Sequence, residues 1–283
     1  MKEEKVMYVI LPKDAEYRTA YVTNDGKIAI VYAEETSKIL PKPAALIGGT
    51  EVYNKEGLPY WFCKIKDGRD EFMHIYFGDL HEDDLLYIAD GKNRNFETER
   101  QKEFREDVLK ALKNKPKEGF RWIPVYEPSK DVDGNLQYIA GKEVLRNISS
   151  YSWERKFQNY SPENGSQMSS ITTYFLLLLR FLKDGFATIE QLADDSKEIG
   201  HYYDSIDAKH EYEKTGERQL GGIYGFGGNI FKIVKDSESE SGFSILGGDC
   251  YNYGRKYPLA DGEEDDYPYD IKSDRIGLLE LIK

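Results

Sequence analysis

Gly222-Ile223-Tyr224-Gly225-Phe226-Gly227-Gly228-Asn229-Ile230-Phe231-Lys232-Ile233-Val234-Lys235-Asp236 is the stretch whose reading decides the fold. Gly228-Asn229 suits a turn of positive φ, because glycine has no Cβ and asparagine tolerates the left-handed region. The aliphatic and aromatic run after it reads as a strand. No Lys-Ser or Lys-Thr comes after the glycines, so a phosphate-cradling loop is not expected. Further on, Ile245-Leu246-Gly247-Gly248-Asp249 ends an aliphatic run in two glycines, which allow close backbone approach or a bulge and re-aim the chain beyond them. The next residues, Asp249-Cys250-Tyr251-Asn252-Tyr253-Gly254-Arg255-Lys256-Tyr257-Pro258, are dense in the types found on adaptable binding surfaces. From residue 221 onward short strands are expected, and no helix.

Upstream, Trp153, Phe157 and Tyr160 fall on one helical face, and residues 162–165 end that helix. Ser170 is placed to cap a second helix containing Tyr174-Phe175-Leu176-Leu177-Leu178-Leu179-Arg180, apolar on most sides and therefore buried. Thr188 to Gln191 is a T-x-x-Q capping box that opens a third. Residues 120–126 read as a strand, and Asp133-Gly134 as a turn. Lys115-Pro116-Lys117-Glu118-Gly119 is charged, contains proline and ends in glycine, which marks a domain boundary. Before it, Phe104, Val108 and Leu112 make an i, i+4, i+8 stripe, hence an amphipathic helix over residues 96–114. Strands are expected over residues 5–11 and 27–33 around an Asn24-Asp25-Gly26 turn, and over 60–63 and 72–77. The expected organisation is a smaller, mainly-β N-terminal domain of residues 1–115, ending in a helix, and a second domain of residues 119–283, the whole being α+β.

Four of these segments, in order and spacing, resemble the formylglycine-generating-enzyme (sulfatase-modifying factor) family. Residues 222–236 are similar to its G-L-Y-D-M-x-G-N-V-W-E-W-V-x-D, residues 245–249 to V-L-R-G-G-S, and Arg275-Ile276-Gly277-Leu278-Leu279-Glu280-Leu281 to the closing R-x-G-F-R-L-V. Trp153, Tyr160, Asn164-Gly165 and Tyr174 match its helical part, with Gln167-Met168-Ser169-Ser170 where the family has R-L-P-T. The resemblance implies a C-type-lectin-like fold for residues 119–283. It covers no part of residues 1–115.

Enzymes of the family hold copper through two closely spaced cysteines after the G-G-S segment, since thiolates suit Cu(I). Here Cys250 stands there alone, and Cys63 is the only other cysteine. Iron-dependent relatives use several histidines, whereas His74, His81, His201 and His210 are scattered. No catalytic residue, metal ligand or cofactor is therefore assigned. The character of the C-terminal loop is closest to the non-enzymatic variable proteins of diversity-generating retroelements, in which adenine-directed mutation yields Asn, Tyr, Asp, Cys, Gly and Arg. A fixed tyrosine-rich loop reads the same way in protein sequence. Such proteins sit at phage tail tips or on bacterial surfaces.

The candidate binding surface is the loop of residues 249–270, with Asp249, Tyr251, Asn252, Tyr253, Arg255, Tyr257, Tyr267 and Tyr269 as ligand-binding residues, unless half of the tyrosines pack inward. Glu263-Glu264-Asp265-Asp266 either holds calcium, which needs roughly 6–8 converging oxygens, or is a solvated face. A net charge of -12 repels phosphate backbones, so nucleic acid is not an expected partner. Residues 6–11 and 174–179, the longest apolar runs, are too short to insert across a membrane. MKEEKVMYVILPKD lacks the apolar stretch of a signal peptide, which points to synthesis in the cytoplasm, with a virion tail or cell surface reached after release. The expected partner is a protein or glycan ligand on a cell surface, and homo-oligomerisation stays open. Three classes of function remain: a ligand- or receptor-binding protein, a divergent metal-dependent oxidase, or a structural component of a phage particle.

Overall fold

The computed structural model describes residues 20–22, 28–30, 52–55, 58–86, 98–202, 212–250, 256–264 and 274–282. Strands β1 (Ala20–Val22) and β2 (Ile28–Ile30) pair antiparallel on either side of the expected Asn-Asp-Gly turn, which itself lies outside the described residues. The main sheet is antiparallel. Its spatial order is β3 (Val52–Asn54), β4 (Trp61–Ile65), β5 (Asp70–Tyr76), β6 (Phe120–Pro124), β16 (Leu279–Leu281), β9 (Ser166–Met168). A second sheet has the order β14 (Gly262–Glu264), β13 (Phe243–Leu246), β12 (Lys232–Lys235), β15 (Ile276–Gly277), with β12 and β15 parallel. Two small hairpins, β7 (Ser129–Lys130) with β8 (Leu136–Gln137) and β10 (Gln219–Leu220) with β11 (Ile223–Tyr224), complete the strands. The helices are α1 (Glu99–Lys113), α2 (Ser150–Gln158), α3 (Ile171–Lys183) and α4 (Ile189–Ala193). The fold is α+β.

The main sheet is buried on both faces, and the two-residue period of its strands sorts side chains between two cores. Phe62, Met73, Ile75 and Ile123 face a core shared with α1, α3 and α4. Cys63, Phe72, Phe120 and Trp122 face a second core, closed by Trp153 and Phe157 of α2 and by Ile233 and Phe243 of the smaller sheet. In α3 every residue from Thr173 to Leu182 is buried, as its all-round apolar composition requires. Each large apolar side chain so buried contributes about 1.5–3 kcal/mol.

Local signals hold where the sequence placed them. The Ser170 hydroxyl accepts from the Thr173 N–H (3.1 Å) at the start of α3. Thr188 and Gln191 close a reciprocal capping box at 3.2 and 3.0 Å. The α1 stripe is Phe104, Val108 and Leu112 as expected, Leu112 half-buried against the core, and Ala111 at i+7 adds a fully buried contact.

The segment 115–119, expected to separate two domains, lies inside one packed unit. It is a turn: the Gly119 N–H donates to Pro116 O (2.9 Å) at φ 76°. Beyond it β6 pairs with β5 over five residues, Phe72↔Pro124 to Tyr76↔Phe120. Strands from both sides of the turn therefore share one sheet, and α1 packs on α3, with the Phe104 and Phe175 rings 6.4 Å apart. Charge, proline and glycine mark a turn equally well whether the flanking strands pair with each other or not, which is why composition suggested a boundary here.

His74 sits in this sheet, stacked on Phe120 (4.7 Å between ring centroids) and edge-on to Trp122 (4.9 Å), with neither ring nitrogen hydrogen-bonded. Burial holds its pKa down to about 3. The unfolded chain protonates this histidine near its ordinary value and the folded one does not, so the stability it carries is complete above about pH 6.5 and is lost as pH falls toward 3. Between pH 7.5 and 4.5 the loss is expected to be about 3 kcal/mol. Urea denaturation at the two pH values should show His74→Phe losing less stability than the parent by about that amount; equal pH slopes would contradict this account.

Candidate binding loop and its mount

The loop after Gly247-Gly248 is mounted on the Gly228-Asn229 turn. Both residues of that turn take positive φ, 63° and 53°. A Cβ on Gly228 would lie 2.3 Å from the His201 carbonyl oxygen, so only glycine allows the two backbones to meet there. They do meet: the His201 N–H donates to Gly227 O and the Asn229 N–H to His201 O, each at 2.9 Å. Asn229 is fully buried. Its amide nitrogen donates to both carboxylate oxygens of Glu127 (3.1 and 3.0 Å), and its amide oxygen accepts the Glu213 N–H (2.8 Å). Its backbone carbonyl accepts the Cys250 N–H at 3.1 Å. One asparagine thus ties together the segments around residues 127, 201, 213 and 250.

Lys232, three residues on, is buried beside the same carboxylate. Its ammonium donates to Ile230 O (2.6 Å) and lies 3.7 Å from Glu127 Oε1. Burial pushes the Glu127 carboxyl up and the Lys232 ammonium down, and each partner's charge works against the other's shift. Around this pair, His201 Nδ1 is 2.7 Å from Glu213 Oε1, and Arg218 Nη1 donates to Gly200 O at 2.8 Å.

The described ends of the loop are fixed. Gly247 and Gly248 have φ 86° and 62°. A Cβ on Gly247 would lie 2.8 Å from the Tyr174 hydroxyl, and one on Gly248 would lie 2.5 Å from Tyr257 O. The Tyr202 hydroxyl donates to Gly247 O (2.8 Å). On the far side, the Tyr257 ring packs edge-on against Phe231 at 5.5 Å, and the Leu259 carbonyl accepts from the Tyr174 hydroxyl (2.8 Å).

Of the expected ligand-binding residues, Asp249 is half-buried and its charge acts on Lys232 and on Tyr202. Tyr257 is half-buried against Phe231, so it serves at least partly as packing. Tyr251, Asn252, Tyr253, Arg255, Tyr267 and Tyr269 lie outside the described residues, as do His210, Asp265 and Asp266. The acidic run does not begin in a loop: the backbone of Glu263 and Glu264 belongs to β14, paired with Ile245 and Ser244. Among the described residues no three His, Cys, Asp or Glu side chains converge as metal ligands.

Cys250 is fully buried, and burial together with the Asp249 charge pushes its thiol up to about 12. Cys63 faces the second core from β4, and both thiols are free. A paired-thiolate copper centre does not fit these residues. No described helix is long and apolar enough to cross a membrane.

The polar residues of the mount, Glu127, Lys232, His201 and Glu213, were not singled out as a group from sequence. One signal was present: Lys232 interrupts Ile230-Phe231 and Ile233-Val234, a run apolar enough for a strand buried on both faces, and a lysine there must be buried with a partner.

In comparisons with known proteins, no family model matches the chain and no curated protein sequence matches it.

Proposed function

We propose that this chain is a ligand- or receptor-binding protein that displays its C-terminal, tyrosine-rich loop on a C-type-lectin-like scaffold of the formylglycine-generating-enzyme kind. The observation that carries this reading is the mount. Cys250 and Tyr257, on either side of residues 251–255, are both held against the buried Gly228–Phe231 segment, Cys250 by its N–H to Asn229 O and Tyr257 by its ring on Phe231. A loop whose ends are fixed before binding loses less conformational entropy on binding, and tyrosine and asparagine supply rigid contact area and adaptable hydrogen bonds. The ligand on this reading is a protein or glycan on a cell surface, met by a protein carried on a phage tail or cell exterior. Catalysis by Cys250 is disfavoured, because a buried thiol pushed up to about 12 holds almost no thiolate at neutral pH.

Loop diversification is part of the proposal and gives its test. Sequencing the 3′ end of the gene across a natural population should find substitutions at adenine positions of the codons for residues 249–269. Gly247, Gly248 and Gly277 should be constant, since a Cβ on Gly277 would lie 2.6 Å from the Phe157 ring. Cys250 should vary little because its side chain is fully buried. A region as constant as the rest of the gene would remove diversification. Binding itself is then tested with Tyr251→Ala and Tyr253→Ala on intact cells; cell binding unchanged in both would move the site away from this loop.

A further inference from the structure

We propose that Glu127 is a proton-operated latch on the loop: one proton taken up by its buried carboxylate in mild acid releases the Cys250 end of the loop while the chain stays folded. The inference rests on the reading of residues 249–270 as the binding surface, and on that reading it makes ligand binding weaker as pH falls below neutral.

The geometry suits the carboxylate and not the acid. Asn229 Nδ2 lies 3.1 and 3.0 Å from the two Glu127 oxygens, so it sits in the fork between them. That fork is where a protonated carboxyl group carries its hydrogen in the ordinary orientation, and a hydroxyl hydrogen there faces an N–H donor. Asn229 cannot answer by turning its amide round, because its oxygen holds the Glu213 N–H at 2.8 Å. The carboxyl group has little room to retreat: a Cβ on Gly225 would lie 2.1 Å from Glu127 Cδ, so backbone packs directly against it. Protonation therefore displaces the Asn229 side chain, and the carbonyl of the same residue holds the Cys250 N–H at 3.1 Å.

The charges act on the same end of the loop. Lys232 on β12 lies 3.7 Å from Glu127 Oε1, and its charge also answers to Asp249, the residue before Cys250. With Glu127 neutral, Asp249 gains the larger hold on that buried ammonium. Glu213, ahead of β10, faces Glu127 as well and carries His201 Nδ1 at 2.7 Å and Arg218 Nε at 3.7 Å, while Arg146 acts on the Cys250 thiol. Burial first, and then the Glu213 charge, raise the Glu127 carboxyl above its ordinary value of 4.5, outweighing Lys232 and Asn229, so the proton binds in mild acid. A carboxyl raised in this way binds its proton more tightly folded than unfolded. Its contribution to stability therefore grows as pH falls toward about 4.5, and the loop is released without unfolding the chain.

Nitrogen-15 labelling of cysteine alone in the full chain gives two amide resonances, because Cys63 and Cys250 are its only cysteines. Cys63→Ala assigns them, and Cys63, on β4 between β3 and β5, is the internal reference. Between about pH 8 and pH 5 the Cys250 amide is expected to shift along a single-proton curve. Its protection from exchange should fall by about tenfold or more, with Cys63 unmoved. Glu127→Gln, uncharged at every pH, should abolish the titration, and His201→Asn should retain it. A Cys250 amide that does not titrate in the parent overturns the proposal without any variant. So does a titration that survives in Glu127→Gln, which places the proton on another group. Binding to intact cells at about pH 7.5 and 5.5 is read separately: a titrating Cys250 amide with equal cell binding at both pH values upholds the latch and removes the loop as the contact surface.

Discussion

An Asn229→Leu chain is expected to lose about 3–5 kcal/mol of folding stability and to release Cys250 from the loop mount. Three effects add. The Asn229 amide gives both oxygens of the buried Glu127 a hydrogen bond, at 3.1 and 3.0 Å. Bonds to a charged group carry about 1.5–3 kcal/mol, and a leucine leaves the carboxylate with Lys232 at 3.7 Å as its nearest support. The Glu213 N–H loses its acceptor. Leucine must also hold a φ near 53°, which costs about 1–2 kcal/mol outside glycine and asparagine. Asn229→Gly separates these effects, since it deletes the amide without the backbone strain; it should fall short of the leucine variant by about 1 kcal/mol. Urea denaturation measures the totals, and hydrogen exchange of the Cys250 amide reports the mount directly. That amide is bonded to Asn229 O in the parent and should exchange faster in both variants. A leucine variant within about 1 kcal/mol of the parent would mean that Asn229 does not organise this site.

What the sequence disclosed and what it withheld divide along the range of the interaction. Ser170, Thr188 and Gln191 were legible as caps because a cap is made within four residues. The Gly228-Asn229 turn was legible for the same reason, since its positive φ is a property of two residues. The pairing of β5 with β6 was not, because residues 77–119, including α1, intervene, and the alternation within each strand is the same whichever strand lies next to it. At Gly247 and Gly248 the sequence showed that small residues were needed without showing against what: the Tyr174 hydroxyl, far back in the chain, and Tyr257 O, across the loop itself, set that requirement. The Glu127–Lys232 pair lies between these cases. The lysine is conspicuous inside an apolar strand, but its partner is 105 positions away, and several carboxylates were equally eligible. Tyrosine-rich composition drew attention to the loop, and composition cannot separate a ring such as Tyr257, packed on Phe231, from one that faces a ligand.

Arg180→Met is expected to be as damaging, about 3–5 kcal/mol, at a position far from the loop. Arg180 is the one charged side chain among the ten consecutive buried residues Thr173–Leu182 of α3, and 7% of its side chain is exposed. Burial alone would discourage its charge; Asp184 and Asp79 more than offset that and raise its pKa. Nη1 donates to Asp79 at 2.8 and 3.1 Å, while Nε and Nη2 donate to Asp184 at 2.7 and 2.8 Å. The guanidinium therefore clamps the end of α3 to the turn after β5. Methionine fills similar volume and packs well, so the loss comes from the carboxylates left behind. They are not left equally. Asp79 keeps Lys183 at 3.5 Å, whereas Asp184, with 11% of its side chain exposed, keeps among the described residues only the Tyr60 hydroxyl at 2.8 Å. If the orphaned charge of Asp184 is what costs, Arg180→Met with Asp184→Asn should recover more than half of the loss, because an amide oxygen still accepts from Tyr60 without carrying a charge. If instead the cost is lost packing around α3, the double variant should be no more stable than Arg180→Met alone. A double-mutant cycle by urea denaturation decides between the two.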